Sequence, residues 1–225
     1  MDPGSYGYEE GEGDYVPTNP WFDRVGQGSK TVEFVRFQNR LDVITKALDT
    51  LSAGVAAVVA TEEASVRDYR ASAPELFADA EEPLLDELAW TKEFLPMATF
   101  GGLLALAFSV FETLLREVAS VVEERTGQHM GHPAGPVVEA HLRFFGSATG
   151  TNVAAPSDRF VLYRRLRNGV VHKLGGDLDQ GVSELFAELG FDGSTVTWRR
   201  VVDGALTEVG ALAVALDDAY LLAYP

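Results

Sequence analysis

Apolar positions along the chain recur mostly every three or four residues, the period of a helix with one face in a core. The longest such run begins at Thr31. Phe37, Leu41, Ile44, Leu48, Leu51, Val55 and Val58 follow one another four and three apart, a heptad-like seam with Arg40, Asp42, Lys46 and Asp49 between them. This predicts a helix to about Arg70, ended before Ala73-Pro74 and folded back as an intramolecular hairpin, with dimerisation through the seam as the alternative. Leu84 to Leu95 predicts a short second helix, and Pro96 breaks that run. From Leu95 to Phe111 no residue is charged, which approaches the length of a membrane span. Pro96, Thr99 and Gly101-Gly102 interrupt that stretch near its start. It also continues into Glu112, Arg116, Glu117, Glu123 and Glu124, with Leu115, Val118 and Val122 on the inner side. The stretch is therefore read as the central core helix of a bundle, with no membrane association.

Glycines and prolines predict a loop over Thr126–Pro136. A short helix follows over Val137–Phe145, packed through Leu142, Phe144 and Phe145, with His141 as a partly buried structural histidine. Gly146–Pro156 is small and polar, a flexible loop. A helix of about five turns spans Ser157 to Gly176, with Ser157 as N-cap and Gly175-Gly176 as its stop. A short helix around Val182–Leu189 and a turn with extended residues at Phe191–Thr197 come next. The last helix starts near Trp198 and repeats Val201, Val202, Leu206, Val209, Leu212 and Leu216. The fold class is all-α: a disordered acidic tail over 1–30, an N-terminal helical segment or hairpin over 31–96, and a helical domain over 97–225.

Composition narrows the chemistry. The 225 residues carry a formal charge of -16 and no cysteine, which excludes a disulfide scaffold and thiolate catalysis and suits a reducing, cytoplasmic setting. The tail holds Asp2, Glu9, Glu10, Glu12 and Asp14 before its first base, Arg24, so it lacks the basic start and apolar run of a signal peptide. Its Tyr6, Tyr8, Tyr15, Trp21 and Phe22 offer anchors should it dock on a partner. His129 and His132 are three apart, but Met130-Gly131 between them and Pro133 after them predict an exposed loop, so no metal is expected. Glu75, Asp79, Glu81, Glu82, Asp86 and Glu87 read as a solvated face. No Gly-rich phosphate loop and no Ser/His/Asp hydrolase pattern occurs.

Against this acidic background, Ser157–Gly176 gathers Arg159, Arg164, Arg165, Arg167 and Lys173 around one histidine, His172. At 3.6 residues per turn, Leu162, Leu166, Val170 and Leu174 form the expected buried stripe. Arg164, Asn168 and His172 recur on the far side, with Arg165 beside them, and Arg167 lies five positions before His172. Both Arg167 and His172 are read as exposed. One helix thus offers imidazole, carboxamide and guanidinium groups, an anion site beside a group titrating near neutral pH.

The run Arg167-Asn168-Gly169-Val170-Val171-His172 resembles the R-N-x-x-x-H signature of HEPN domains, all-helical domains of toxin–antitoxin, phage-defence and RNA-processing systems. Upstream, Phe108, Phe111, Glu112 and Leu115 are similar to the F-x-x-F/L-E-x-x-L helix many such domains carry. A closing amphipathic helix follows the motif, so the resemblance covers about Ala98 to Tyr220. It implies a HEPN-like bundle acting as a metal-independent endoribonuclease without cofactors, a toxin or defence effector. His172 would serve as acid and base, Arg167 would hold the scissile phosphate, and Asn168 would orient either. Arg164, Arg165 and Lys173 would add RNA phosphate contacts, and Glu112 would salt-bridge one of the arginines. The implied partners are RNA, a second copy meeting it through the motif helix, and an antitoxin or other regulatory protein. The alternative is a non-catalytic HEPN module binding nucleotide, RNA or a protein, toward which the acidic net charge points.

Overall fold

The computed structural model describes residues 9–10, 14–15, 19–21, 31–131, 135–173, 180–191 and 198–225. The side chains of 9–10, 14–15, 172–173, 180, 182 and 183 fall outside that description. Among the described residues the architecture is all-helical, as expected, apart from a two-residue antiparallel pairing of β1 (Glu9–Glu10) with β2 (Asp14–Tyr15). The helices are α1 (Val32–Ser72), α2 (Pro74–Thr126), α3 (Val137–Thr149), α4 (Asp158–Lys173), α5 (Gln180–Glu188) and α6 (Trp198–Ala223).

α1 starts and stops where its periodicity predicts. Ala73 leaves the helical conformation, and Pro74 opens α2 at a position that lacks an intrahelical acceptor for its missing N–H. The expected break at Pro96 does not occur: α2 is continuous for 53 residues, with Pro83 and Pro96 inside it. An interior proline costs about 3 kcal/mol. At Pro96, burial of Met97 next to it and of Phe100 one turn on offsets this, at about 1.5–3 kcal/mol for each fully buried apolar side chain. Among the described residues nothing comparable is buried beside Pro83. The expected boundary between 31–96 and 97–225 therefore falls inside one helix. α2 ends on Gly127, whose positive φ of 71° suits glycine and whose N–H donates to the Glu123 carbonyl. α3 runs past the expected Phe145 and ends the same way, on Gly150 with φ 72°.

One core cluster joins Phe34–Leu48 of α1, Met97–Val122 of α2 and the inner faces of α3, α4, α5 and α6. All six apolar repeat positions expected of α6 are buried in it. Further along α1 the seam surfaces: Leu51 and Val58 are exposed. Residues 50–96 therefore form a two-helix arm leaving the bundle, in which Phe77 alone is buried. At its base Asp49 pairs with Arg199 of α6 at 2.6 Å, and Val55 and Phe94 still pack against the core. By length and composition α1 and α2 could each cross a membrane. Half of the apolar window in α2 is buried, against 11% of that in α1, so the α2 window is core and the α1 window is surface.

The tail is anchored where it is described. Trp21 packs between Phe34 and Phe37, with ring centroids 5.9 and 5.2 Å away. Asn19 donates to the Leu206 carbonyl at 2.9 Å and accepts from the Trp21 N–H at 3.0 Å. Gly210 leaves the room, since a Cβ there would lie 1.8 Å from Asn19 Oδ1. Of the expected tail anchors Trp21 thus binds the chain's own bundle. Tyr6, Tyr8 and Phe22 lie outside the described residues, as do His132, the turn at 192–197 and the Gly175-Gly176 stop.

Candidate functional site at the motif helix

α4 begins as its sequence predicts. Ser157 Oγ accepts from the Phe160 N–H at 3.0 Å, the N-cap bond, and donates to Glu208 Oε2 of α6 at 2.6 Å. The buried stripe differs from the expected one. Phe160, Tyr163, Leu166 and Val170 are buried, whereas Leu162 is only partly so, and Leu174 lies outside the described residues. The reason is that α4 is held from more than one side, against α2, α5 and α6. Two glycines allow close crossings. A Cβ on Gly101 of α2 would stand 2.5 Å from Val170 Cγ1, and one on Gly204 of α6 would stand 1.9 Å from the Tyr163 hydroxyl. Burial pushes the Tyr163 phenol up from its ordinary value, against the opposing effect of Arg159 beside it.

The basic cluster is not a free anion site in this chain. Each described arginine of α4 meets a carboxylate from a different element. Arg159 Nε lies 3.4 Å from Glu208 of α6, and Arg164 Nη1 donates to Glu139 of α3 at 2.7 Å. Arg165 Nη1 is 3.6 Å from Glu188 of α5, and Arg167 Nη2 donates to Glu112 Oε1 of α2 at 2.7 Å. The pairs differ in depth. Arg165 and Glu188 are both more than half exposed, a geometry worth little. Arg164–Glu139 and Arg167–Glu112 keep only about a fifth of their side-chain surface. The Arg164 hydrogen bond holds the Glu139 carboxyl below its ordinary value against the opposing cost of burial.

Arg167 is the largest departure from expectation. It was expected on the exposed side, but it lies between α4 and α2, with its guanidinium carbon 5.5 Å from the Phe108 ring centroid. Its Nε is buried and has no hydrogen-bond partner. Glu112 spans two guanidiniums, since its other oxygen lies 3.5 Å from Arg116 Nη2 one turn on. Arg164, expected on the open polar face, is likewise mostly covered. Asn168 is exposed on α4, as expected. The helix carries the backbone through His172 to Lys173, whose side chains lie outside the description. His141 is buried, its Nδ1 2.7 Å from the Val137 carbonyl, which fits the structural role expected of it.

Sequence reasoning missed Glu139, Glu188 and Glu208 as partners, and reached Glu112 only through the resemblance. A local signal existed for Glu112. It follows Phe111, is four residues from Phe108 and precedes Leu114-Leu115, so it sits beside core positions where an unpaired carboxylate would be costly. Among the described residues no three His, Asp or Glu side chains converge as a metal site would need. Compared with known proteins, the chain matches no family model, no curated protein and no solved structure.

Proposed function

We propose that the chain is a HEPN-type endoribonuclease module working on RNA at the α4 surface, in the cytoplasm and as a two-fold dimer through that helix. The observation carrying this reading is the meeting of the two halves of the resemblance. Glu112 of the Phe108–Leu115 segment and Arg167 of the motif, 55 positions apart, share a 2.7 Å hydrogen bond over the Phe108 ring. In the proposed reaction the ribose 2′-oxygen attacks phosphorus and the P–O5′ bond breaks, giving a 2′,3′-cyclic phosphate and a 5′-hydroxyl. Neutral His172 takes the 2′-hydroxyl proton, and an imidazolium returns one to the 5′-oxygen. Arg167 stabilises charge growing on the phosphoryl oxygens, and exposed Asn168, one turn before His172, orients imidazole or phosphate. Because Arg167 lies five positions before His172, well around the helix from it, the proposed cleft draws its histidine and arginine from two copies. To act, Arg167 must exchange Glu112 for the phosphate.

One observation favours a second reading, a module that binds without cutting. The four described motif arginines are each paired with a carboxylate, so phosphate contacts require those pairs to yield. Incubation of the purified chain with total RNA in EDTA, beside His172→Ala and Arg167→Lys, separates the two. Cyclic-phosphate ends that disappear in His172→Ala, with thermal stability unchanged, are expected. RNA retained on a filter but left uncut supports the binding module, and cutting that persists in His172→Ala overturns the assignment of the site.

A further inference from the structure

The arm over residues 50–96 stands apart from the motif helix, yet it has the composition of a binding element. From Thr50 to Ser72 α1 extends for about 35 Å at 1.5 Å per residue, running beside α2, and Val55 is the one apolar residue described there that still packs against the core cluster. Two helices without a third layer cannot close a core. Leu51, Val58, Leu76, Leu85 and Trp90 accordingly stand exposed, Trp90 at 51% with its ring stacked on Phe94. Between the two helices runs a groove of about 130 Å³ with Val66, Leu84 and Leu88 as its apolar lining, Tyr69 beside them, and Glu62 and Glu87 contributing carboxylates.

Charge says what fits there. Thr50 to Pro96 holds ten acidic residues and three basic ones. Two of the three bases are already engaged, Lys92 with Glu63 and Arg70 with Glu81. Glu62 and Glu87 have no such cation among the described residues. A second copy would bring the same acidic arm, and an anionic bilayer would repel it. We propose that the arm docks a basic amphipathic helix from a partner protein, laid along the α1–α2 groove as a third layer. Its apolar side chains cover Val66, Leu84 and Leu88 at helical spacing, and a Lys or Arg with its stem on that surface reaches Glu62 and Glu87 with its charged head. This surface is independent of the ribonuclease reading.

The test uses the full chain and a fluorescein-labelled helical peptide of ~20 residues built from leucine and lysine, with its leucines on one face. A leucine–glutamate peptide with the same apolar pattern is the counterpart. At near-physiological salt the leucine–lysine peptide is expected to raise anisotropy on binding and its counterpart not to. Glu62→Gln/Glu87→Gln should weaken binding by about tenfold or more, while Glu124→Gln/Asp158→Asn, an equal charge change on the bundle, should stay within about twofold. Circular dichroism confirms that both variants remain helical. Equal losses in the two variants reduce the effect to diffuse attraction and overturn the proposal, as does the absence of binding. A dimer dispersed by Leu51→Ser/Val58→Ser in a chain that ignores the peptide assigns the surface to a second copy instead. Sedimentation with neutral phosphatidylcholine vesicles assigns it to a bilayer.

Discussion

Replacing Arg167 with methionine isolates what the α2–α4 ion pair contributes to the bundle. Methionine keeps an unbranched stem against Phe108 but removes the guanidinium, leaving Glu112 only 18% exposed and facing Arg116 at 3.5 Å. Removing one member of a fully buried pair costs about 3–5 kcal/mol, and exposed pairs contribute about 0–1 kcal/mol. Arg167 retains 22% of its side-chain surface and Glu112 keeps its second guanidinium, so the loss is expected near the middle, ~2 kcal/mol. Loss of the unpartnered, buried Nε subtracts from that cost. For a chain of this size the change corresponds to a drop of about 4–8 °C in Tm. The double variant Arg167→Met/Glu112→Met leaves no orphaned charge and is expected to lose less than either single variant, a coupling of ~1.5 kcal/mol. Urea unfolding followed by circular dichroism and tryptophan fluorescence measures the cycle, with coincident curves as the check on two-state behaviour. A single variant within ~0.5 kcal/mol of the parent, with no coupling, would refute the reasoning. The result also governs how cleavage data are read, since lost activity in an Arg167 variant means lost chemistry only if the fold survives.

Two further outcomes follow from the same packing. Trp21→Ala, which empties a site between Phe34 and Phe37, should cost about 3–5 kcal/mol; an unchanged thermal midpoint would mean the tail is not docked. Glu139 has its carboxyl lowered from 4.5 chiefly by the Arg164 hydrogen bond. A group depressed on folding contributes stability that is full above its unfolded value and lost as pH falls through its folded one. Stability of the parent should therefore fall more steeply below pH 4.5 than that of Glu139→Gln, and parallel urea midpoints across that range would contradict the pairing.

Local pattern sufficed for much of the chain. The end of α1 before Ala73-Pro74, the Ser157 cap and the buried face of α6 all follow from spacing, capping chemistry and proline geometry within a few residues. These are short-range effects, and the sequence holds them directly. The continuity of α2 through Pro96 was not legible. A local penalty of about 3 kcal/mol argued for a break, and only the burial of Met97 and Phe100 in a core assembled from distant segments outweighs it. The seam of α1 was read correctly as far as Leu48. Periodicity cannot say that its partner layer ends there, because α2 leaves the bundle alongside it and no third helix follows.

The same division runs through the candidate site. That arginines cluster around His172 on one helix is a property of the sequence alone, and so is the acidic arm. Whether those guanidiniums are open to phosphate is not, because each carboxylate that meets them arrives from another element: Glu112 on α2, Glu139 on α3, Glu188 on α5 and Glu208 on α6. Helical spacing fixes where a side chain leaves the backbone. A long guanidinium then settles where desolvation and a counter-charge together favour it, and that balance is decided only when the helices pack.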